Sequence, residues 1–167
     1  TDIDQKFIMV QPKFYAQTKG SFTVTVKDGD KVVATQTVPA HDGTSVVLPI
    51  KKPKLWSPSS PFLYDVVYEV KDSQGKITDV VNSYVGMRKI HVEGNKVYLN
   101  NEPFYQRLVL DQGFYPDGIY TASCLGELEA DIDRSMAMGF NGARLHQKVF
   151  EPLFLSLCDK KGYIVWG

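Results

Sequence analysis

The stretch FNGARLHQKVFEPLFLSLCDKKGYIVWG, residues 140–167, decides the fold. Its first part, Phe140–Leu145, predicts a strand, and its last part, Tyr163–Trp166, predicts another. Between them, apolar side chains share one face of a helix over Phe150–Lys161, with a proline near its first turn and Gly162 at its end. Strand, helix and strand in this order predict two parallel strands joined by a helical crossover.

The same alternation of strand and helix extends upstream. Phe104–Leu110 is a near-continuous apolar run, typical of a strand buried on both faces. After a long loop, Asp111–Ser123, apolar residues recur at helical spacing from Leu125, and Gly139 is placed to end that helix. The whole segment therefore predicts a βαβαβ unit with a parallel sheet. Three strands leave an edge of this sheet open, which favours a truncated α/β domain.

The first ninety residues have a different pattern, that of short strands separated by turns. Phe22–Val26 alternates apolar and polar residues, the period of a half-buried strand. Turn sequences such as Asp28–Asp30 and Asp72–Gly75 separate further β-prone runs, and no helical period interrupts them. This regular spacing predicts an antiparallel β-sandwich of immunoglobulin type over residues 1–92. The α/β part then occupies residues 93–167.

Composition and charge exclude several classes of function. The chain has 19 basic and 19 acidic residues and a formal net charge of +0, which argues against a nucleic-acid or anionic-membrane surface. No apolar run is long enough to span a bilayer. Cys124 and Cys158 lie far apart without clustered histidines, so we predict no metal site, and no cofactor motif is present. Cys158 falls in an apolar helical pattern and is predicted to be a buried thiol.

Three groups of motifs follow one another along the chain. They are LWSPSSPFLY at 55–64; VGMRKI at 85–90 with VYLNNEP at 97–103; and MGFNGAR at 138–144 with LCDKKGYIVW at 157–166. Their order and spacing resemble glycoside hydrolase family 2, the β-galactosidase and β-glucuronidase group. The resemblance covers residues 55–167, and it is the combination rather than any single motif that makes it specific.

The resemblance implies an immunoglobulin-like sandwich followed by the first three strands and two helices of a (β/α)₈ catalytic barrel. It also implies a parent enzyme that hydrolyses O-glycosidic bonds of β-linked sugars with retention of configuration. In the family, the acid/base and nucleophile glutamates follow the fourth and seventh barrel strands, so the resemblance implies no catalytic residue within residues 1–167. Retaining hydrolysis needs two carboxylates about 5 Å apart, and the isolated chain is therefore expected to be inactive.

Two other functions are weighed against the glycosidase fragment. The first is a non-catalytic carbohydrate-binding or adhesive sandwich with an accessory α/β segment. The second, a self-contained nucleotide-binding domain, is disfavoured because no glycine-rich phosphate motif follows any predicted strand. The sugar, the linkage and the cell compartment are left open by the sequence.

Three polar residues follow or end the predicted parallel strands, where the active sites of α/β barrels lie. By the resemblance, Arg144 supports the nucleophile glutamate, and pairing with a local carboxylate is the alternative. Asp111 is a candidate for holding sugar hydroxyls, with a turn-forming role as the alternative. His146 is a candidate on the substrate side or a structural histidine. We expect Asp111, Arg144 and His146 to lie together at one end of the sheet.

Aromatic residues supply further candidates and their alternatives. Tyr115 and Tyr120 are positioned to form a platform against a sugar ring, with packing of the loop as the alternative. Trp56 is predicted to be a core residue at the edge of the sandwich, and Trp166 to pack at the end of the third parallel strand. We also expect the open face of the incomplete sheet to drive self-association of the isolated chain.

Overall fold

The computed structural model describes residues 1–15 and 19–167, and these form two compact units. The sandwich unit comprises Thr1–Leu55 and Phe62–Lys89, and the α/β unit comprises Trp56–Pro61 and Ile90–Gly167. Residues 16–18 belong to the predicted sandwich range but lie outside the described residues. The predicted domain boundary between residues 92 and 93 stays a prediction.

The sandwich unit is built from antiparallel strands in two sheets. The strands are β1 (Phe7–Val10), β2 (Ser21–Asp28), β3 (Lys31–Pro39), β4 (Val46–Pro49), β5 (Tyr64–Lys71) and β6 (Ile77–Val85). Four of them form one sheet in the order β3-β2-β5-β6, and β1 pairs with β4 in the other. Across residues 19–85, the described chain contains no helix.

The core of the sandwich unit follows from the alternation seen in the sequence. Phe22, Val24 and Val26 are 5%, 0% and 0% exposed, because every second residue of β2 points to the same face of the sheet. They share a buried cluster with Val46 and Leu48 of the two-stranded sheet. The prediction of a β-sandwich is thus confirmed.

The α/β unit combines a small antiparallel sheet with a parallel one. Its elements are β7 (Ile90–Glu93), β8 (Lys96–Leu99), β9 (Glu102–Pro103), β10 (Leu108–Asp111), α1 (Leu125–Ala137), β11 (Gly142–Leu145), α2 (Pro152–Lys161) and β12 (Ile164–Trp166). Strands β7, β8 and β9 form the antiparallel sheet. The parallel sheet has the order β10-β11-β12, with one helix in each connection, as the predicted βαβαβ order requires.

The two helices end where the sequence predicts. Gly139 follows the last turn of α1 with φ of 92°, and its N–H donates to the carbonyl of Met136. Pro152 opens α2, and Gly162 closes it with φ of 80°. A Cβ atom at residue 162 would also lie 2.5 Å from the carbonyl oxygen of Pro58, so this position requires glycine for two independent reasons.

The first parallel strand begins later than the apolar run predicts. It starts at Leu108 rather than at Phe104, because β11 begins only at Gly142, the register partner of Leu108. Upstream, the Asn141 side chain takes the place of a neighbouring strand. Its Oδ1 accepts from the N–H of Arg107 at 2.8 Å, and its Nδ2 donates to the carbonyl of Tyr105 at 2.9 Å. These backbone groups before β10 are therefore hydrogen-bonded although no strand pairs with them.

Trp56 lies in the α/β unit, and its predicted place at the edge of the sandwich is wrong. The indole is 1% exposed, and its Nε1–H donates to the carbonyl oxygen of Asp159 at the end of α2 at 2.7 Å. The Asn100 side chain donates to the carbonyl of Trp56 at 2.9 Å. A buried indole needs both an apolar surround and an acceptor, and α2 provides the acceptor.

Both helices cover the same face of the parallel sheet. Ala143 and Leu145 of β11 pack in one buried cluster with Ile132 of α1 and with Phe154 and Cys158 of α2. We call this face of the sheet the helix face. The successive residues of a strand alternate between faces, so Arg144 lies on the other side.

The two cysteines are expected to differ sharply in reactivity. Both are free thiols; Cys124 is exposed, whereas Cys158 is buried. Burial, with the charges of Asp159 and Asp111 adding to it, raises the pKa of Cys158 to about 12, and only the thiolate attacks disulfide reagents. At pH 8, dithionitrobenzoate should therefore titrate one thiol per folded chain and two in guanidinium. Rapid release of two equivalents without denaturant would contradict this packing.

Candidate functional site

The carboxyl ends of β10 and β11 bring Asp111 and His146 side by side. Asp111 pairs in register with Leu145, and the N–H of His146 donates to the carbonyl of Asp111 at 2.8 Å. The hydrogen bond continues the parallel ladder for one residue beyond β11. The two sequence candidates are thus joined through the backbone.

The imidazole of His146 is held by a residue that sequence reasoning missed. Nε2 of Gln112 lies 3.0 Å from Nδ1 of His146. The amide NH₂ can only donate, so Nδ1 is the acceptor and the neutral ring carries its proton on Nε2. The contact with Gln112 therefore leaves the Nε2–H of His146 available as a donor on the other side of the imidazole ring.

Arg144 lies on the sheet face opposite the helices. Its register partners are Leu110 of β10 and Trp166 of β12, which are 58% and 40% exposed. We call the surface formed by Leu110, Arg144 and Trp166 the open face. Arg144 is itself exposed, and among the described residues no carboxylate is ion-paired with its guanidinium. The alternative prediction, a local carboxylate partner, has no support from these contacts.

The carboxylate of Asp111 does not share the open face with Arg144. Its position in β10 has the parity of Val109, which packs against the helix-face cluster. Burial raises the pKa of Tyr163 in that cluster, and the negative charge of Asp111 raises it further. Asp111 Oδ1 also accepts from the N–H of Gly113 at 2.7 Å, the contact expected of a turn-forming aspartate. The three candidates share one end of the sheet, but Asp111 and Arg144 point to opposite faces.

The two tyrosines of the loop after β10 have different surroundings. Tyr115 is 6% exposed and belongs to the helix-face cluster. Burial raises its pKa, and a hydrogen bond from its hydroxyl to Asp131 raises it further. The packing alternative therefore holds for Tyr115. Tyr120 is 64% exposed, and its ring contacts Phe114 edge-to-face with the centroids 6.2 Å apart.

Lys148 joins the loops that follow β10 and β11. Its Nζ donates to the carbonyl of Gly113 at 3.1 Å and to that of Tyr120 at 2.7 Å. The same ammonium lies over the rings of Phe150, at 4.6 Å from the centroid, and Tyr115, at 5.7 Å. No local sequence pattern marks a single loop lysine for such a role, because the carbonyls that it contacts come close to it only in the folded chain.

A cleft of the sandwich unit lacks the polar groups of this site. It has a volume of about 780 Å³ and runs along β3 and β4. Its only carboxylate, Asp28, is already paired with Lys54 at 2.6 Å, so the cleft offers no pair of free carboxylates. Within residues 1–15 and 19–167, no group of three His, Cys, Asp or Glu side chains is arranged to hold a metal ion. In the same residues, no helix has the length and apolar character to cross a membrane.

Comparison with known proteins adds independent information. Residues 7–88 match the family model of glycosyl hydrolases family 2. The chain is 29% identical over 162 residues to a β-galactosidase of Pseudoalteromonas haloplanktis, covering 97% of this chain and 14% of that protein. It is 30% identical over 146 residues to a β-galactosidase of Leuconostoc mesenteroides, covering 86% of this chain and 14% of that relative.

A solved structure agrees with these relatives. The apo structure of Bacteroides uniformis β-glucuronidase 3 superposes with a TM-score of 0.84 at 26% identity, covering 99% of this chain and 21% of that chain. The present chain thus spans a small part of the proteins it matches. The match to the family model, the relatives and the shared fold agree with the motifs at 55–64 and 138–166, and the chain belongs to glycoside hydrolase family 2.

Proposed function

We propose that this chain supplies the immunoglobulin-like sandwich, residues 1–92, and the first three strands of the (β/α)₈ catalytic barrel, residues 93–167, of a retaining glycosidase. The parent would hydrolyse O-glycosidic bonds of β-linked sugars. Its two catalytic glutamates would come from polypeptide outside residues 1–167, and this segment by itself would be inactive. Carbohydrate is the proposed partner, and no nucleic acid, membrane or cofactor enters the proposal.

The observation that carries this proposal is the polar end of the parallel sheet. In α/β barrels the substrate binds at the carboxyl ends of the strands. The helices form the outer ring, so the sheet face that they leave uncovered points to the inside of the barrel. Arg144 is exposed on the open face, and His146 follows β11 at the same end of the sheet. Its guanidinium has no ion-pair partner within the described part of the chain, and it is available to a carboxylate contributed by a later strand.

Each site residue receives a proposed role from its contacts. Arg144 supports the nucleophile glutamate by donating to it from the N–H groups of its guanidinium. His146, fixed by Gln112, offers its Nε2–H to a sugar hydroxyl or to a catalytic carboxylate. Asp111 supports the site by shaping the turn with Gly113 and by holding His146 through its carbonyl oxygen.

The test is hydrolysis by the full-length protein. It should release nitrophenol from at least one of the p-nitrophenyl β-galactoside, β-glucuronide, β-glucoside and β-mannoside. Proton NMR should show that the β-anomer of the sugar forms first. Residues 1–167 expressed alone should release none. A folded full-length protein that binds these glycosides without cleaving them would favour the carbohydrate-binding alternative, and inversion at the anomeric carbon would exclude the retaining mechanism.

The open face leads to a separate proposal about the isolated segment. Leu110 is 58% exposed there and Trp166 40%, and β10 and β12 form the edges of the parallel sheet. Each large apolar side chain that becomes buried contributes about 1.5–3 kcal/mol, so residues 1–167 alone should self-associate through this face. Multi-angle light scattering should report a dimer or larger species. A monomer whose β12 amides exchange as slowly as those of β2 would contradict this.

A further inference from the structure

Two large aromatic side chains of the loop after β10 remain in solvent. Phe114 is 66% exposed and Tyr120 is 64% exposed. Their rings meet at an interplanar angle of 87°, so one ring presents its edge to the other and at least one ring face stays free. An isolated exposed aromatic side chain needs no explanation, but an ordered pair of them forms a small apolar surface.

The loop that carries this pair is held in place at several points. Tyr115 and Ile119 exchange backbone hydrogen bonds of 2.7 and 2.9 Å, which closes a short hairpin between Phe114 and Tyr120. Lys148 then donates to the carbonyls of Gly113 and Tyr120, one on each side of the hairpin. Since both ends are fixed, little conformational entropy is lost when a ligand contacts the rings.

Gly113 lets the lysine reach this position. It has φ of 58°, and a Cβ atom there would lie 2.6 Å from Nζ of Lys148 and 2.9 Å from the ring of Phe150. Any larger residue would displace the ammonium. Among the described residues Lys148 has no carboxylate partner, and two of its three N–H groups donate to the loop carbonyls. Lys148 therefore acts by holding the loop in position and not by presenting its charge to a ligand.

We propose that Phe114 and Tyr120 form a stacking platform for a pyranose ring of the substrate, with Lys148 as the residue that positions it. The proposal rests on the proposed function, which makes a sugar the ligand at this end of the sheet. The loop begins at Gln112, which contacts His146, so the platform borders the proposed site. A pyranose presents C–H groups on its faces and hydroxyls at its rim, and an aromatic face with the Tyr120 hydroxyl beside it matches both.

The experiment compares variants of the full-length protein on the p-nitrophenyl glycoside that it hydrolyses best. Tyr120→Ala and Phe114→Ala should each raise KM about tenfold and change kcat less than about threefold, since the platform contacts a part of the substrate away from the reacting bond. Tyr120→Phe keeps the ring and should retain most of the affinity. Tyr105→Ala is the matched control, because Tyr105 is 79% exposed and precedes β10 at the opposite end of that strand. Equal effects of Tyr105→Ala and Tyr120→Ala would overturn the platform.

The positioning role of Lys148 has its own readout. Lys148→Met keeps an unbranched chain over Phe150 but removes the donors. It should raise KM as Tyr120→Ala does and speed amide exchange over residues 113–121, with β11 amides unchanged. Unaltered KM and exchange would overturn this role.

Failure of the proposed function can be told apart from failure of the platform. If the wild-type protein hydrolyses none of the glycosides, saturation-transfer NMR with the same glycosides still reports binding. Signals that are lost in Tyr120→Ala and kept in Tyr105→Ala would support the platform, although hydrolysis had failed. Equal signals in all three proteins would overturn it.

Discussion

Arg144→Ala should lower kcat of the full-length protein about 100-fold or more while leaving its stability almost unchanged. The expected size is that of losing a donor that orients or stabilises charge in a transition state. The small effect on stability follows from the exposure of Arg144 and from its lack of a described carboxylate partner. KM should change only a few-fold, because the guanidinium is proposed to act on the nucleophile and not on the sugar.

Arg134→Ala provides the control for this prediction. Arg134 is also an exposed arginine, but it lies in α1 and pairs with Asp131 at 3.1 Å. A surface pair of this kind contributes little, so neither kcat nor the melting temperature should change measurably. Both variants should be assayed with nitrophenyl glycosides and by differential scanning calorimetry. If Arg144→Ala loses activity and melting temperature in parallel, Arg144 has a structural role.

Trp56→Ala should destabilise the α/β unit by about 3–5 kcal/mol, the usual cost of emptying a buried aromatic site. The indole is 1% exposed, and its removal also deprives the Asp159 carbonyl of a donor at the end of α2. Local stability is best measured in the full-length protein by hydrogen exchange of the β11 amides, which report the opening of this unit.

Trp166→Ala is the matched control because it removes the same side chain from the open face, where Trp166 is 40% exposed. Its effect on β11 exchange should be less than half that of Trp56→Ala. Similar effects of the two substitutions would mean that Trp56 is not an anchor of the α/β unit. Slower exchange over β2 and β5 than over β11 in Trp56→Ala would further localise the effect to the α/β unit.

The sequence by itself determined that short strands build the sandwich and that strand and helix alternate from β10 to β12, but β1 and β9 were not among the predicted strands. Alternation over Phe22–Val26 depends only on the two-residue period of a strand, and burial follows it residue by residue. The two helices, the proline that opens α2 and the glycine that closes it are equally local features. The motifs at 55–64 and 138–166 added the family, which the relatives support.

Only the tertiary structure decided which side chains meet. Trp56 lies between β4 and β5 of the sandwich in sequence, yet its acceptor is the carbonyl of Asp159, about a hundred residues later. Asp111 is the last residue of β10 and Arg144 the last but one of β11, and this difference of one position in register sends them to opposite faces. Lys148 donates hydrogen bonds to two loop carbonyls, and no local sequence pattern predicts these contacts. Periodicity depends on near neighbours along the chain, whereas the choice of a hydrogen-bond partner depends on register and on distant segments that meet only in the folded protein.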